Sequence, residues 1–248
     1  MNSPDDDHLG NWPWPTGTFM ERLCPRSRRS LLRLGTRTYG PPGTVLMRQG
    51  DPGSMVYLLR SRDRSVSACV KITTADGRLL AIRVSGDVIG ELGALVPDSL
   101  RSNTATVCTP TIVHRIPGTA FMTFLETHHD GSLVLCRSLA DRLAWSDQRR
   151  LDFGDHQVRV RLARLLVEFV ESYGRRVEAG WELTVRLSYE ELGNLVGARV
   201  DAVGKAMKEL GTDGSVCLMK RHVIVRDLEN LRRAAELTDV FAKDARVT

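Results

Sequence analysis

LSYEELGNLVGARVDAVGKAMKEL, which runs from Leu187 to Leu210, predicts two helices joined by a tight turn. Ser188 and Glu191 have the spacing of a capping box, so the first helix should begin just after Ser188. Gly193 is small where the second helix must cross closely, and Gly197 gives the turn the backbone freedom that it requires. The pattern is typical of a helix-turn-helix, whose second helix lies in the DNA major groove.

The second of these helices has two different faces. Apolar residues recur at helical spacing and should point inward, namely Val203, Ala206, Met207 and Leu210. The outer face carries mostly small or polar residues that could contact a groove, namely Arg199, Val200, Asp201, Ala202, Lys205 and Lys208. A plain helical hairpin would have a similar inner face, so the rest of the chain must decide between the two interpretations.

The segments after Leu210 favour DNA binding. Ser215–Leu218 and Val223–Arg226 flank a basic turn, as the hairpin of a winged helix would, and a last helix is predicted from Leu228 to about Ala242. We expect Arg199, Asp201 and Lys205 to contact bases. Contacts to phosphate are expected from Lys208, Lys220, Arg221 and His222. Acidic and basic residues nearly balance from Asp155 onward, so these local clusters must supply the attraction to DNA.

The region from Tyr39 to about Ile116 has the pattern of a small β-domain. Short apolar runs alternate with Gly, Pro, Asp and Ser, and the triplet ADG at 75–77 predicts a hairpin between KITT and LLAIRV. Many short strands at this spacing predict an antiparallel barrel or jelly roll. Before it, residues 19–34 have helical spacing broken by Pro25. The first residues predict a loose tail that Trp12 and Trp14 could anchor to the body.

A long helical stretch follows, from Gly118 to about Arg150, with an interruption near His128–Gly131. Its second part places one apolar stripe on the helix, formed by Leu133, Cys136, Leu139, Ala140 and Leu143. The stripe then becomes polar at Ser146, Asp147 and Arg150, as expected of a dimer helix that borders a polar ligand. A helix end that turns toward solvent is the alternative. A further helix is predicted over Val158–Tyr173.

The segment GELGALVPDSLRSNTATV, Gly90–Val107, contains the residue types that a cyclic phosphodiester requires. Arg101 offers a permanent cation whose planar fork matches two phosphate oxygens, and Ser102 offers a hydroxyl donor. Glu91 could accept a hydrogen bond from a ribose hydroxyl, while Gly90 and Gly93 let the backbone approach the ligand. An ion pair between Glu91 and Arg101 that closes a loop without any ligand is the alternative.

Composition sets broad limits on the class of protein. The chain has 248 residues, a net charge of +5 and 42% hydrophobic residues, an ordinary soluble composition that permits a nucleic-acid partner. Its five cysteines are scattered without a CxxC pair, which suits a reducing cytoplasm and argues against a zinc ribbon. Neither a signal peptide nor an apolar run of ~18 residues is recognised. No group of residues has nucleophile–base or metal-ligand spacing, so we expect neither an enzyme nor a metal site.

Three motifs together resemble the cyclic-AMP receptor protein/FNR (CRP/FNR) superfamily of bacterial transcription regulators. They are PPGTVLMRQGDPGSMVYLL, then GDVIGELG followed after seven residues by Arg101-Ser102, and the helix-turn-helix stretch; the resemblance covers roughly residues 19–235. It implies an α+β fold with a flexible tail at 1–18, a cyclic-nucleotide-binding β-roll at 19–128, a dimerisation helix and hinge at 129–154, and a winged helix-turn-helix at 155–248. It also implies a cytoplasmic homodimer that binds double-stranded DNA, with RNA polymerase as a partner and a cyclic nucleotide such as cAMP as effector.

The resemblance also assigns roles to single residues. The ribose would be held by Glu91 and the phosphate by Arg101 and Ser102. Gly90 and Leu92 are predicted to belong to the same phosphate and ribose site. A Thr-Ser pair that reads adenine in relatives falls on Ser146 and Asp147, and the extra charge of Asp147 leaves the base specificity open. Ligand binding would act on DNA through Ser146, Asp147 and a hinge near Phe153–Asp155.

Two rival functions remain open from the sequence. One is a regulator of the same fold that binds DNA independently of any cyclic nucleotide. The other is a nucleotide-sensing module that acts through protein partners. Where relatives carry an Arg-Glu pair that reads base edges, this chain has Val200 and Asp201, so its operator should differ from theirs.

Overall fold

The computed structural model describes residues 12–62, 67–219 and 222–237, and it divides into two compact units, Met1–Asp147 and Gln148–Thr248. Residues 1–11 of the predicted tail and the predicted phosphate contacts Lys220 and Arg221 lie outside the described residues.

The described part of the first unit is a β-domain framed by helices. It begins with two short helices, α1 (Phe19–Arg22) and α2 (Pro25–Leu32). The strands and one short helix follow: β1 (Thr36–Gly40), β2 (Val45–Met47), β3 (Val56–Ser61), β4 (Cys69–Thr73), β5 (Leu79–Val84), β6 (Val88–Ile89), α3 (Leu92–Leu95), β7 (Thr104–Val107) and β8 (Thr111–Ile116). Helix α4 (Gly118–Thr127) and the long helix α5 (His129–Asp155) complete this part of the chain, and α5 ends within the second unit.

The strands form two antiparallel sheets, in the orders β1-β8-β3-β6 and β2-β7-β4-β5. Strands β4 and β5 pair across the predicted ADG turn, so the hairpin prediction is confirmed. Alternate side chains point between the sheets and form a core that includes Leu59, Val70, Ala105 and Val113. Trp145 of α5 is half-buried against this core.

The N-terminal helices pack on the β-domain through a second core. Pro25 occupies the first turn of α2, a position where its missing N–H is not needed, which explains the predicted break. Trp14 is only 7% exposed and packs in one cluster with Phe19 and Phe121. Part of the segment predicted as a flexible tail is therefore docked, and the expected anchoring by tryptophan is confirmed for Trp14.

The described part of the second unit is a winged helix-turn-helix. After the end of α5 it comprises α6 (Val158–Tyr173), β9 (Gly174–Val177), β10 (Gly180–Leu183), α7 (Tyr189–Val196), α8 (Val200–Thr212), β11 (Val216–Met219), β12 (His222–Val225) and α9 (Leu228–Ala234). The strands form one sheet in the order β11-β12-β10-β9. The hairpin β9–β10 was not predicted from the sequence. Helix α9 ends at Ala234 rather than about Ala242, and residues after 237 lie outside the described part.

A hinge was predicted near Phe153–Asp155. The long helix α5 is helical through Asp155, and α6 begins at Val158 after a short link, so the helices are interrupted directly after the predicted segment, and its role as a hinge stays a prediction. Phe153 packs within the second unit, with the Arg161 guanidinium 5.5 Å from its ring centre. Leu139 was predicted to lie on the apolar stripe that packs against a partner helix, but it is half-buried against the N-terminal core of its own chain. The exposed stripe consists of Leu133, Cys136, Ala140 and Leu143.

None of the helices formed by residues 12–62, 67–219 and 222–237 is both long and apolar enough to cross a lipid bilayer. Within the same residues, no group of three or more His, Cys, Asp or Glu side chains is arranged to hold a metal ion.

Candidate functional site

Arg101 is held at the centre of a cluster of backbone groups. The side chain is 6% exposed, and its guanidinium donates to the carbonyls of Gly90 at 2.8 Å and Met55 at 2.7 Å. Its own backbone N–H donates to Asp51 O at 2.9 Å, and its carbonyl accepts from Gly50 N–H at 2.8 Å. The turn GDPG at 50–53 therefore supports a cation about 50 residues further along the chain.

Two glycines allow the chain to approach this cation. Gly90 has φ +79°, and a Cβ there would lie 2.8 Å from both Nη1 of Arg101 and the Met55 carbonyl. A Cβ at Gly93 would lie 2.4 Å from the carbonyl of Gly53 and 2.9 Å from the Arg101 Nη1. Any other residue at either position would push the backbone away from the guanidinium.

Glu91 is paired with a residue that the sequence pattern did not reveal. Its buried carboxylate accepts from Arg142 Nη1 at 2.6 Å, and Arg142 Nη2 donates to Val88 O at 2.8 Å. The alternative of a Glu91–Arg101 ion pair is therefore wrong. Arg142 lies four residues before Ser146 on the same face of α5, a spacing that could have identified it.

A cavity of about 340 Å³ lies beside these groups. Six of the predicted ligand-binding residues line it, namely Gly90, Glu91, Leu92, Arg101, Ser102 and Ser146. The lining also includes Arg83 and Arg142, so three arginines surround it with one carboxylate, that of Glu91. An excess of positive charge suits an anionic ligand.

Asp147, the second predicted base contact, is not among the residues that line this cavity. It is exposed and lies seven residues after Ala140, which places it on the stripe of α5. The structure therefore separates Ser146 from Asp147, and a role of Asp147 toward a ligand stays a prediction.

The helix-turn-helix of the second unit has the predicted local geometry. Glu191 N–H donates to Ser188 Oγ at 3.1 Å, and Ser188 N–H donates to Glu191 Oε2 at 2.9 Å, so the capping box is complete. Gly197 adopts the left-handed conformation with φ +62°, and a Cβ at Gly193 would lie 2.5 Å from Ala198 O. The inner face of α8 is buried as predicted, through Val203, Ala206, Met207 and Leu210.

The outer face of α8 is open to solvent. Five residues that were predicted to contact DNA are exposed on this face, namely Arg199, Val200, Asp201, Lys205 and Lys208. His222 differs from them because it is half-buried, with its Nδ1 3.4 Å from Glu182 Oε1 and its Nε2 3.1 Å from Arg186 Nε. Arg186 is exposed beside His222 and adds a cation that the sequence pattern did not reveal.

Ser188→Ala should lower the free energy of unfolding of the protein by about 1 kcal/mol, because the N–H of Glu191 in the first turn of α7 loses its acceptor, the Ser188 hydroxyl. Urea unfolding followed by circular dichroism measures the change. Thr212→Ala is the matched control: its hydroxyl donates to Lys208 O within α8 and caps no helix N-terminus, so its loss should cost less. An equal loss in both variants would contradict a specific role for the capping box.

Comparisons with known proteins agree with this division of the chain. The family model for the cyclic nucleotide-binding domain matches residues 37–128, and the model for the Crp-like helix-turn-helix domain matches residues 160–234. A CRP-like cAMP-activated global transcriptional regulator of Mycobacterium tuberculosis is 29% identical over 199 residues, which cover 79% of this chain and 86% of that protein.

Solved structures show the same fold. A CRP-family transcriptional regulator of Thermus thermophilus matches with a TM-score of 0.64 at 22% identity, covering 80% of this chain and 96% of that one. The c-di-GMP-responsive global regulator CLP of Xanthomonas campestris matches with a TM-score of 0.65 at 22% identity, covering 82% and 100%.

A β-domain with a buried arginine at an electropositive cavity, followed by a winged helix-turn-helix, defines a DNA-binding regulator that carries a candidate ligand site. The chain belongs to the CRP/FNR superfamily and is a DNA-binding transcription regulator with a cyclic nucleotide-binding domain.

Proposed function

We propose that this regulator is a homodimer whose affinity for DNA is set by a cyclic nucleotide bound in the cavity of the first unit. The observation that carries the proposal is the convergence of Glu91, Arg101 and Ser146 on one cavity, although 55 positions separate the first from the last. The name of the Mycobacterium tuberculosis relative, a cAMP-activated regulator, supports cyclic AMP as a candidate effector.

The phosphate would bind at Arg101 and Ser102. Burial excludes water from the guanidinium, and its bonds to Gly90 O and Met55 O fix its orientation before a ligand arrives. Each terminal nitrogen of arginine carries two hydrogens, so these carbonyls do not exhaust its donors. A charge-assisted pair with phosphate oxygens is among the strong hydrogen bonds in proteins.

The ribose would bind at Glu91, whose ionised carboxylate is an acceptor with about four lone-pair sites. Arg142 already donates to this carboxylate from α5. A ribose hydroxyl that enters the same site changes the environment of the Glu91–Arg142 pair, and so changes how firmly α5 is attached to the β-domain. Ligand binding and helix position would thereby be coupled through one ion pair.

The exposed stripe of α5 supports the homodimer. Leu133 and Leu143 are 59% and 64% exposed, and they lie on one helix face with Cys136 and Ala140. An apolar stripe at intervals of three and four residues is the pattern by which two helices pack together. Asp147 continues this face, so we propose that it reaches the nucleotide of the other subunit.

Each subunit would place α8 in a major groove, with half-sites about 34 Å apart. Arg199, Val200, Asp201 and Lys205 are proposed to face the bases, and Lys208 and His222 the phosphates. RNA polymerase remains the expected protein partner, because acting on transcription requires contact with it or competition for its site. A DNA partner supports the expected location in the cytoplasm.

Titration calorimetry with cyclic AMP and cyclic GMP, followed by DNA binding with and without the bound nucleotide, tests the proposal. We expect micromolar or tighter binding and a change in DNA affinity. No heat with either nucleotide at several temperatures, together with unchanged DNA binding, would instead identify a regulator that needs no cyclic nucleotide.

Lys205→Ala should weaken specific DNA binding by about 1–3 kcal/mol while affecting non-specific binding less, because a base contact carries sequence information. Lys208→Ala is the matched control, a lysine one turn further along α8, and it should weaken both kinds of binding alike. Competition gel shifts with specific and random duplexes measure the ratio. An equal loss of both kinds of binding for Lys205→Ala would reassign this residue to a phosphate contact.

A further inference from the structure

Arg83 is the cation in the cavity that the proposed binding of phosphate and ribose does not use. It lies on β5, where successive side chains alternate between the two faces of the sheet. Ala81 points into the core between the sheets, so Arg83, two residues later, shares its inward direction, and Arg83 is one of the cavity-lining residues. Its Nη1 donates to Ile82 O at 2.9 Å, which holds the side chain against its own strand.

The positions of the other lining residues leave the base as the part of the ligand that Arg83 can meet. Arg101 and Ser102 are assigned to the phosphate, and Glu91 with Arg142 to the ribose. Arg83 pairs across the sheet with Val70, next to the pair formed by Ala81 and Ile72, and Ile72 also lines the cavity. The apolar strand surface is suited to the face of a purine ring, and the cation beside it is suited to one edge of that ring.

The two common purines differ at the edge that a cation can read. Guanine presents two acceptors, O6 and N7, to which an arginine fork donates two hydrogen bonds. Adenine presents N7 beside an amino group, and that amino group is itself a donor. An arginine therefore makes two bonds with guanine, whereas with adenine its second donor faces another donor.

The remaining side chains that line the cavity do not favour adenine. The single carboxylate of the lining, Glu91, is engaged by Arg142, and Ser146 has a hydroxyl that can donate or accept. Once placed against the ligand across the dimer, the Asp147 carboxylate would accept hydrogen bonds from two groups of guanine, N1–H and the 2-amino group. Adenine would offer it a single donor, its amino group.

We propose that Arg83 is a specificity-determining residue and that the preferred effector carries guanine, with cyclic GMP preferred over cyclic AMP. The inference rests on the proposed function, because it concerns the base of the nucleotide in the same cavity. A volume of about 340 Å³ lies at the small end of the range for ligand pockets, which fits a mononucleotide.

Calorimetric titration of the full-length protein with cyclic GMP, cyclic AMP and cyclic di-GMP tests this assignment. Wild-type protein should bind cyclic GMP at least about tenfold more tightly than cyclic AMP. Arg83→Gln should weaken cyclic GMP binding at least about tenfold and leave cyclic AMP unchanged or stronger, because a glutamine amide pairs with adenine. Arg78→Gln is the matched control: Arg78 is exposed on the same hairpin, paired with Asp76 outside the cavity, and should change neither affinity.

The outcomes separate this inference from the proposed function. Tighter or equal binding of cyclic AMP by the wild type would overturn the guanine assignment and leave nucleotide control standing. Equal losses for both nucleotides in Arg83→Gln, with an unchanged melting temperature, would overturn the role of Arg83 in base choice. Tighter binding of cyclic di-GMP than of cyclic GMP would support guanine recognition and identify the dinucleotide as the ligand that supplies the guanine. Absence of binding by all three would reject the proposed function itself.

Discussion

Arg101→Ala should weaken cyclic-nucleotide binding at least about 100-fold, the largest effect expected of any single change in the cavity. The ligand phosphate would lose a buried cation and two charge-assisted hydrogen bonds, each worth about 1.5–3 kcal/mol. A loss of about 2.7 kcal/mol already corresponds to 100-fold in the dissociation constant. Titration calorimetry measures the affinity, and unchanged binding would remove the cavity as the nucleotide site.

This substitution also leaves the carbonyls of Gly90 and Met55 without the donor that they have in the native protein, so stability must be measured with it. Ser102→Ala provides a second, milder test: the hydroxyl belongs to an exposed residue, so affinity should fall about three- to tenfold with no change in fold. Arg48→Ala is the matched control, an exposed arginine outside the cavity lining that should leave binding unchanged.

Leu133→Asp should convert the dimer into monomers at micromolar concentration. The proposed interface contains this position twice, so each dimer would have to bury two carboxylates that lack partners, at a cost of several kcal/mol. Sedimentation velocity measures the oligomeric state. Affinity for a two-half-site operator should fall with dissociation, because the second subunit no longer binds intramolecularly.

The choice of residue for this test follows from the structure. Leu139 packs on the core and lines the cavity, so a charge there would disturb folding and ligand binding as well as assembly. Leu133 is exposed and lies outside the cavity lining. Leu80→Asp is the matched control at an exposed leucine of β5 and should leave the dimer intact. A dimer that persists in Leu133→Asp would place the interface on another surface.

The helix-turn-helix could be predicted almost residue by residue because its determinants are local. A capping box joins residues three positions apart, and a left-handed glycine acts on its own turn. Helical periodicity also predicted which side of α8 is buried, because the four buried positions repeat within two turns of the helix. None of these features depends on which distant segment packs against the helix.

The composition of the cavity could be predicted only in part, because its contacts join distant segments. The Glu91–Arg142 pair spans 51 positions, and the carbonyl of Met55 lies 46 positions from the Arg101 that it binds. Arg83 has the appearance of an ordinary surface arginine in LLAIRV until the register of β5 is known. A single sequence gives the residue types of such a site but not which strand faces which.

Periodicity alone also misplaced Leu139 and missed β9–β10. Leu139 lies at the edge of the apolar arc of α5, and only the packing of α5 on the first unit decides that this edge is covered. Strands β9 and β10 have four residues each and contain charged side chains, so their alternation is too short to recognise. Pairing of β10 with β12 adds the long-range support that such short strands need.

Trp145 gives the protein its own optical probe. The indole precedes Ser146 in the chain and is half-buried against the core that contains Ile72 and Ile89, two residues whose side chains also form the wall of the cavity. Indole emission depends on the polarity and quenching groups around the ring, so occupancy of the cavity should alter the fluorescence without any label. Binding rates of each nucleotide could then be followed by stopped-flow mixing on the unmodified chain, with Trp145→Phe to identify the source of the signal.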